Sequence, residues 1–266
     1  MQYIRIGNVK VSRFIVGGNP FSGFSHQSVE MDEQMRHYYS CQRIKDTFAE
    51  AESLGVNTFL GRSDFHIVRL LAEYRDEGGK IQWFAQTAPE AGPPAESVKR
   101  AKAGGAVACH IHGGVTDYLF ANNRLDEVRE TIDMIHDCGM LAAVAGHRPE
   151  VFARAEEILD VDYYLCSYYR PSARENRPEH VPGTEERFDD NHRQAMVRTI
   201  AQLSKPVFHY KIMACGRNDP VEAFAFAAEH MRPNDAVCVG VYTKDNPKML
   251  EDDVCLLEQS LAAAGQ

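Results

Sequence analysis

No apolar run in this chain of 266 residues approaches the ~18 that a bilayer-spanning helix requires. The opening residues, MQYIRIGNVKVSRF, lack the apolar centre of a secretory signal. Both absences lead to the expectation of a cytoplasmic protein without a membrane partner. Its 29 Lys and Arg form no stripe or cluster, and the net charge of −9 argues against a nucleic-acid partner. The seven cysteines form no C-x-x-C pair and are odd in number. Cys109, Cys166 and Cys238 lie inside apolar runs, so buried thiols in a reducing compartment are expected rather than disulfides. No G-x-G-x-x-G run marks a dinucleotide-binding turn.

What the chain does contain is regular alternation. YIRI, then Gly7-Asn8, then VKVS reads as a hairpin. Eight apolar runs follow: FIVGGN, VNTFLGR, IQWFAQT, AVACHIH, LAAVAGH, DYYLCSYY, PVFHYKIM and AVCVGVY. Each precedes a segment with apolar residues at helical spacing, as in Ile44, Phe48, Ala51 and Leu54. Continuous apolar strands are expected where both faces of a sheet are buried. Eight such strand–helix units within a single domain, residues 1–266, predict a (β/α)8 TIM barrel with an N-terminal β-hairpin. Two connections are long, 20–40 and 171–190, and both follow a strand, so both lie over the mouth of the barrel. The second, rich in Pro, Arg and Glu, reads either as a lid bringing Arg174, Arg177 or His180 to a substrate or as a surface loop.

VSRFIVGGNPF, AESLGVNTFLGR, AGHRPEVFARAEEILDVDYYLCSYYRP and VCVGVYTKDNPKMLEDDV together resemble the aldo-keto reductases over nearly the whole chain. The resemblance implies a barrel, and in that family NADPH-dependent carbonyl reduction by an Asp, Tyr, Lys and His set. Carried over by position, the Asp falls on Leu60, the Tyr on Phe65 and the Lys near Gln86; only the His is kept, as His112. Phe65 has no hydroxyl to protonate a developing alkoxide, so the family's usual reaction is not expected. The resemblance implies that the last strand–helix junction helps hold NADPH; Lys244 and Asn246 stand there at a helix start suited to a substrate phosphate or a nucleotide, unless Asn246 only caps the helix.

Function in such a barrel sits at the C-terminal strand ends. There the sequence supplies Arg62, His110, His112, His147, Cys166, His209 and Lys211. Residues two apart in a strand share a face, which pairs His110 with His112 and His209 with Lys211. Three uses of the histidines stay open: ligands for zinc or another transition metal (His110, His112, His147 and Cys166), metal-free acid–base chemistry, and hydrogen-bonded packing. Lys211, with His209, His112 and Arg62, forms the expected catalytic set. The expected reaction is non-redox, that of an isomerase, lyase or hydrolase. The expected substrate is a small anionic or hydroxyl-rich molecule. An NADPH-dependent reductase with His112 or Tyr242 as proton donor, and a non-catalytic binding barrel, are the alternatives.

Overall fold

The computed structural model describes residues 1–170, 176–178 and 188–266. The 171–190 lid reading falls largely on 171–175 and 179–187, Arg174 and His180 included, and lies outside the described residues. The hairpin is β1 (Tyr3–Ile6) with β2 (Val9–Ser12), paired antiparallel. The barrel strands are β3 (Phe14–Gly17), β4 (Thr58–Arg62), β5 (Gln82–Gln86), β6 (Ala108–Ile111), β7 (Leu141–Gly146), β8 (Tyr163–Ser167), β9 (Val207–Tyr210) and β10 (Ala236–Gly240). They run parallel in sequence order, and β10 closes against β3. The (β/α)8 barrel with its hairpin is therefore present.

The helices are α1 (Val29–Tyr38), α2 (Cys41–Ser53), α3 (Phe65–Asp76), α4 (Pro94–Ala103), α5 (Gly113–Ala121), α6 (Arg129–Asp137), α7 (Pro149–Ile158), α8 (Asp190–Ile200), α9 (Pro220–His230) and α10 (Met249–Ala263). Two of them, α1 and α5, occupy stretches that the sequence pattern leaves as connections. Ser28 caps α1, its side chain accepting from the Met31 N–H. Glycines open α5, which hides its helical start from propensity rules.

Alternate residues of each barrel strand point inward. Ile15, Leu60, Phe84, Ala108, Ala143, Ala145, Tyr163, Leu165, Phe208, Ala236 and Cys238 fill the interior, and Ile4, Ile6 and Val11 of the hairpin plug its base. Phe84, Tyr163 and Phe208 meet with ring centroids 4.8–5.6 Å apart, and alanines on neighbouring strands make room for them. The outward residues pack against the helices in the larger core. Further along the same inward positions the residues turn polar: Arg62, Gln86 and His110 are successive register partners on β4, β5 and β6. The aromatic layer thus seals the barrel beneath a polar mouth.

A buried acid on the outer layer gives one expected result. Burial, with Asp252 beside it, raises the Asp253 carboxyl on α10 from 3.8 to about 7. The fold disfavours the charged form, so this penalty is absent below 3.8, grows as pH rises, and is complete above about 7. Asp253→Asn is expected to raise Tm by several degrees at pH 8 and to leave it unchanged at pH 3.5, as calorimetry at the two pH values would record.

Candidate active site

Asn19, Phe24, His26, Arg62, Gln86, Glu90, His112, Gly113, His147, Tyr210 and Lys211 surround the mouth, which holds about 500 Å3 including the solvent-connected space. The central feature is a chain of three groups. Asp117, on the inner side of α5, is 2 % exposed. It accepts from the His147 backbone N–H at 3.1 Å and faces the His147 Nδ1 at 2.7 Å. A carboxylate facing Nδ1 holds the proton on that nitrogen and leaves Nε2 as an acceptor. Nε2 lies 3.2 Å from the Tyr210 hydroxyl. The phenol proton has a second acceptor, the Gly146 carbonyl, at 3.3 Å.

Local structure explains the arrangement. His112 caps α5, its Nδ1 accepting from the Gly114 N–H at 3.2 Å, and its own backbone N–H donates to Thr87 Oγ1 at 2.9 Å. The Thr116 hydroxyl bonds the Gly113 and Ala145 carbonyls, which ties α5 to the end of β7. Gly113 lies under His147 and Tyr210: a Cβ there would sit 3.0 Å from His147 Cε1 and 3.1 Å from the Tyr210 oxygen. The glycine pair after the histidines therefore serves close approach. Gly113→Ala is expected to spread His147 and Tyr210 and to cost turnover about 10²-fold, the scale of an ångström of misplacement. Circular dichroism melts should show little change; a variant as active as the parent would remove the requirement.

Lys211 follows β9 at φ +59, and this left-handed residue turns its side chain into the same mouth as its neighbour Tyr210. Its Nζ is 3.5 Å from His26 Nε2. His26 is also left-handed, φ +55. The loops after β3 and β9 are stitched together: Arg217 donates to the His26 carbonyl at 2.9 Å and Gln27 to the Cys215 carbonyl at 2.7 Å. Arg62 contributes a wall. Its guanidinium bonds Asp64 at 3.2 Å and Glu90 at 3.1 Å and lies over the Phe24 ring, centroid 4.8 Å away. Burial opposes the ionised form of Glu90, but Arg62, a backbone hydrogen bond and the nearby His112 together outweigh it and hold the Glu90 pKa below the ordinary carboxylate value.

Several expected site residues stand elsewhere. His209 does not share a face with Lys211. It points out of the barrel, is 0 % exposed, and bonds the Tyr168 hydroxyl at 2.9 Å and Asp235 at 3.3 Å. Cys166, its register partner on β8, also faces the helical layer, and burial pushes its thiol well above the ordinary value. Inward and outward positions carry equally apolar neighbours here, so periodicity alone does not assign the faces. His110 is inward but lies fully buried below the mouth. Of the expected metal ligands only His112 and His147 line the mouth, each with Nδ1 already engaged. Among the described residues no group of three His, Cys, Asp or Glu is placed to share an ion. The expected ligand set therefore does not assemble among the described residues.

At the last junction α10 begins at Met249, later than expected. The exposed Asn246 bonds Asp252 at 2.9 Å and the Lys248 N–H at 3.0 Å, while Lys244 bonds Gln34 at 3.2 Å. Neither residue lines the mouth. Tyr242, the alternative donor, packs edge-on against Tyr38, centroids 5.4 Å apart. Its hydroxyl is buried without a partner among the described residues. Asp117 and Tyr210 are the candidate residues that the sequence did not single out. An acid in the otherwise apolar GGVTDYLFA, and the phenol two residues after the inward Phe208, are the signals that mark them.

No family model and no curated protein matches the chain by sequence. Solved structures match its shape. A Pseudomonas aeruginosa protein assigned to the aldo-keto reductases superposes with a TM-score of 0.64 at 17% identity, over 97% of this chain and 96% of that one. Aldo-keto reductase AKR11C1 from Bacillus halodurans gives 0.60 at 11% identity, over 99% and 96%. A truncated 3-deoxy-D-arabino-heptulosonate 7-phosphate synthase from Thermotoga maritima gives 0.58 at 14% identity, over 99% and 92%. At these identities the likeness establishes the fold, an aldo-keto-reductase-like barrel, and leaves the chemistry to the residues of the mouth. No described helix is long and apolar enough to cross a membrane.

Proposed function

We propose that this chain is a non-redox enzyme that moves a proton at the carbon beside a carbonyl or carboxylate group of a small polar, hydroxyl-rich substrate. The observation that carries the reading is the Asp117–His147–Tyr210 chain ending in the mouth. The Tyr210 oxygen takes the substrate proton while its own proton passes to His147 Nε2. Asp117 offsets the imidazolium so formed, as the carboxylate does in other carboxylate–imidazole pairs. The electron pair left on carbon moves into the substrate carbonyl, and the Lys211 ammonium stabilises the resulting oxyanion. Return of the proton to the neighbouring carbon gives an isomerase; loss of a group there gives a lyase. The same ammonium favours an anionic or hydroxyl-rich substrate.

Backbone strain supports this reading. Lys211, Ala214 and Cys215 are left-handed without being glycine, each at a cost of about 1–3 kcal/mol, a cost typical of functional sites. Barrels of this shape also serve both reductases and a synthase, so the fold accommodates either chemistry.

A second reading has its own observation. A phenol bonded to an imidazole, with an ammonium beside it, is also a proton donor for carbonyl reduction by NADPH, with Tyr210 in place of Phe65. One experiment separates the two. The protein is incubated in D2O with a panel of small hydroxycarbonyl compounds and hydroxy acids, phosphorylated and not. Loss of the proton signal beside the carbonyl is followed by NMR, with and without NADPH. The proposal expects exchange that NADPH leaves unchanged. No exchange with any compound, together with NADPH oxidation, would replace it with the reductase.

A further inference from the structure

Gln86 and His110 are not used by the proton-transfer chain, yet they are built as a pair. They are register partners on β5 and β6, and His110 Nε2 lies 3.4 Å from Gln86 Oε1. His110 is fully buried, and its Nδ1 has no partner among the described residues. Burial, with His112 nearby, lowers its pKa to about 3, so the ring is neutral near pH 7 and carries one N–H.

A neutral ring can meet an amide in two ways. Either Nε2–H donates to the amide oxygen and Nδ1 keeps a bare lone pair, or the amide donates to Nε2 and Nδ1 holds the hydrogen. The second strands a buried donor and uses the intrinsically less favoured tautomer of neutral histidine. The first, with Gln86 Oε1 facing His110 Nε2, turns both amide hydrogens of Gln86 away from His110. Gln86 lines the mouth, and His110 is the only hydrogen-bond partner of its side chain among the described residues.

We propose that Gln86 is a substrate-binding residue, its amide N–H2 offered to an acceptor oxygen of the substrate, and that His110 is the positioning residue that fixes this orientation. A carbonyl or carboxylate oxygen beside Lys211 is the chemistry it selects. The inference rests on the mouth being the substrate site.

Its test does not need turnover. Long-range proton–nitrogen NMR of the His110 ring should show hydrogen on Nε2 and none on Nδ1; the reverse tautomer overturns the assignment. Glycolate, a carboxylate, and dihydroxyacetone, a neutral carbonyl, are then titrated into Tyr210→Phe protein while the Gln86 side-chain amide is followed. A saturable shift with at least one probe is expected, and which probe gives it identifies the preferred oxygen. Affinity should fall about tenfold in Gln86→Met and in His110→Leu, the loss of one hydrogen bond. An amide silent to both probes, or unchanged affinity in Gln86→Met, overturns the inference. Failure of the D2O exchange alongside a shifted amide would instead count against the proton-transfer reading alone.

Discussion

Tyr210→Phe should lose about 10²–10⁴-fold in turnover, the usual worth of one positioned acid–base group. Its Tm should stay close to that of the parent. The phenol oxygen contributes hydrogen bonds to His147 and the Gly146 carbonyl, at 3.2 and 3.3 Å, in a site open to solvent, so its removal strands no deeply buried charge. The ring itself is retained, including its edge-on contact with His147, centroids 5.8 Å apart. A large kinetic loss at constant stability separates a reacting group from a packing group. Steady-state exchange rates beside a thermal melt give both numbers. A Phe variant retaining a tenth or more of the parent rate would place the proton transfer elsewhere in the mouth.

Asp235→Ala should produce the largest loss of stability, about 3–5 kcal/mol, because it leaves buried partners uncompensated. The carboxylate is 0 % exposed. It accepts from the Val207 N–H at 2.8 Å, from Arg232 through its backbone and guanidinium at 2.9 Å, and faces His209 Nε2 at 3.3 Å. Burial alone would raise its pKa, but His209 and Arg232 outweigh burial and hold it below 3.8. With a lowered folded pKa, its contribution is fully present above 3.8 and disappears as pH falls through the folded value. Denaturant unfolding at pH 7 should therefore show the full deficit, with Tm reduced by roughly 10 °C at 2–4 °C per kcal/mol. Near pH 2 the gap between variant and parent should narrow. A gap that is constant with pH would mean that shape, rather than charge, sets the cost.

These two residues also show what the sequence reveals and what it hides. Alternation of apolar strands and amphipathic helices sufficed for the barrel, because a parallel strand buried on both faces leaves a continuous apolar trace. That same continuity conceals parity. In PVFHYKIM nothing local says whether Phe208 and Tyr210 or His209 points inward. Tertiary packing decides it: Phe208 joins the central aromatic layer, so Tyr210 emerges at the mouth while His209 pairs with Asp235 outside. Left-handed Lys211 then breaks the alternation, so a residue on the opposite face of the strand still reaches the mouth. The histidines His112 and His147 are legible as strand-end residues. Asp117 is hidden because α5 starts with two glycines and reads as a turn, and Gln86 is neutral and carries no charge signal. The departures at Leu60, Phe65 and Gln86 from the reductase pattern are visible in the sequence; that a phenol, Tyr210, emerges at the mouth is visible only once the strands are closed.

The most direct test is a double-mutant cycle on Tyr210 and His147, measured by solvent deuterium exchange without nucleotide. Groups that pass one proton along one chain act as a unit, so their losses are not additive. Tyr210→Phe with His147→Asn should therefore exchange no slower than the worse single variant, within about threefold. Losses that multiply in the double variant would show two independent groups and contradict the relay.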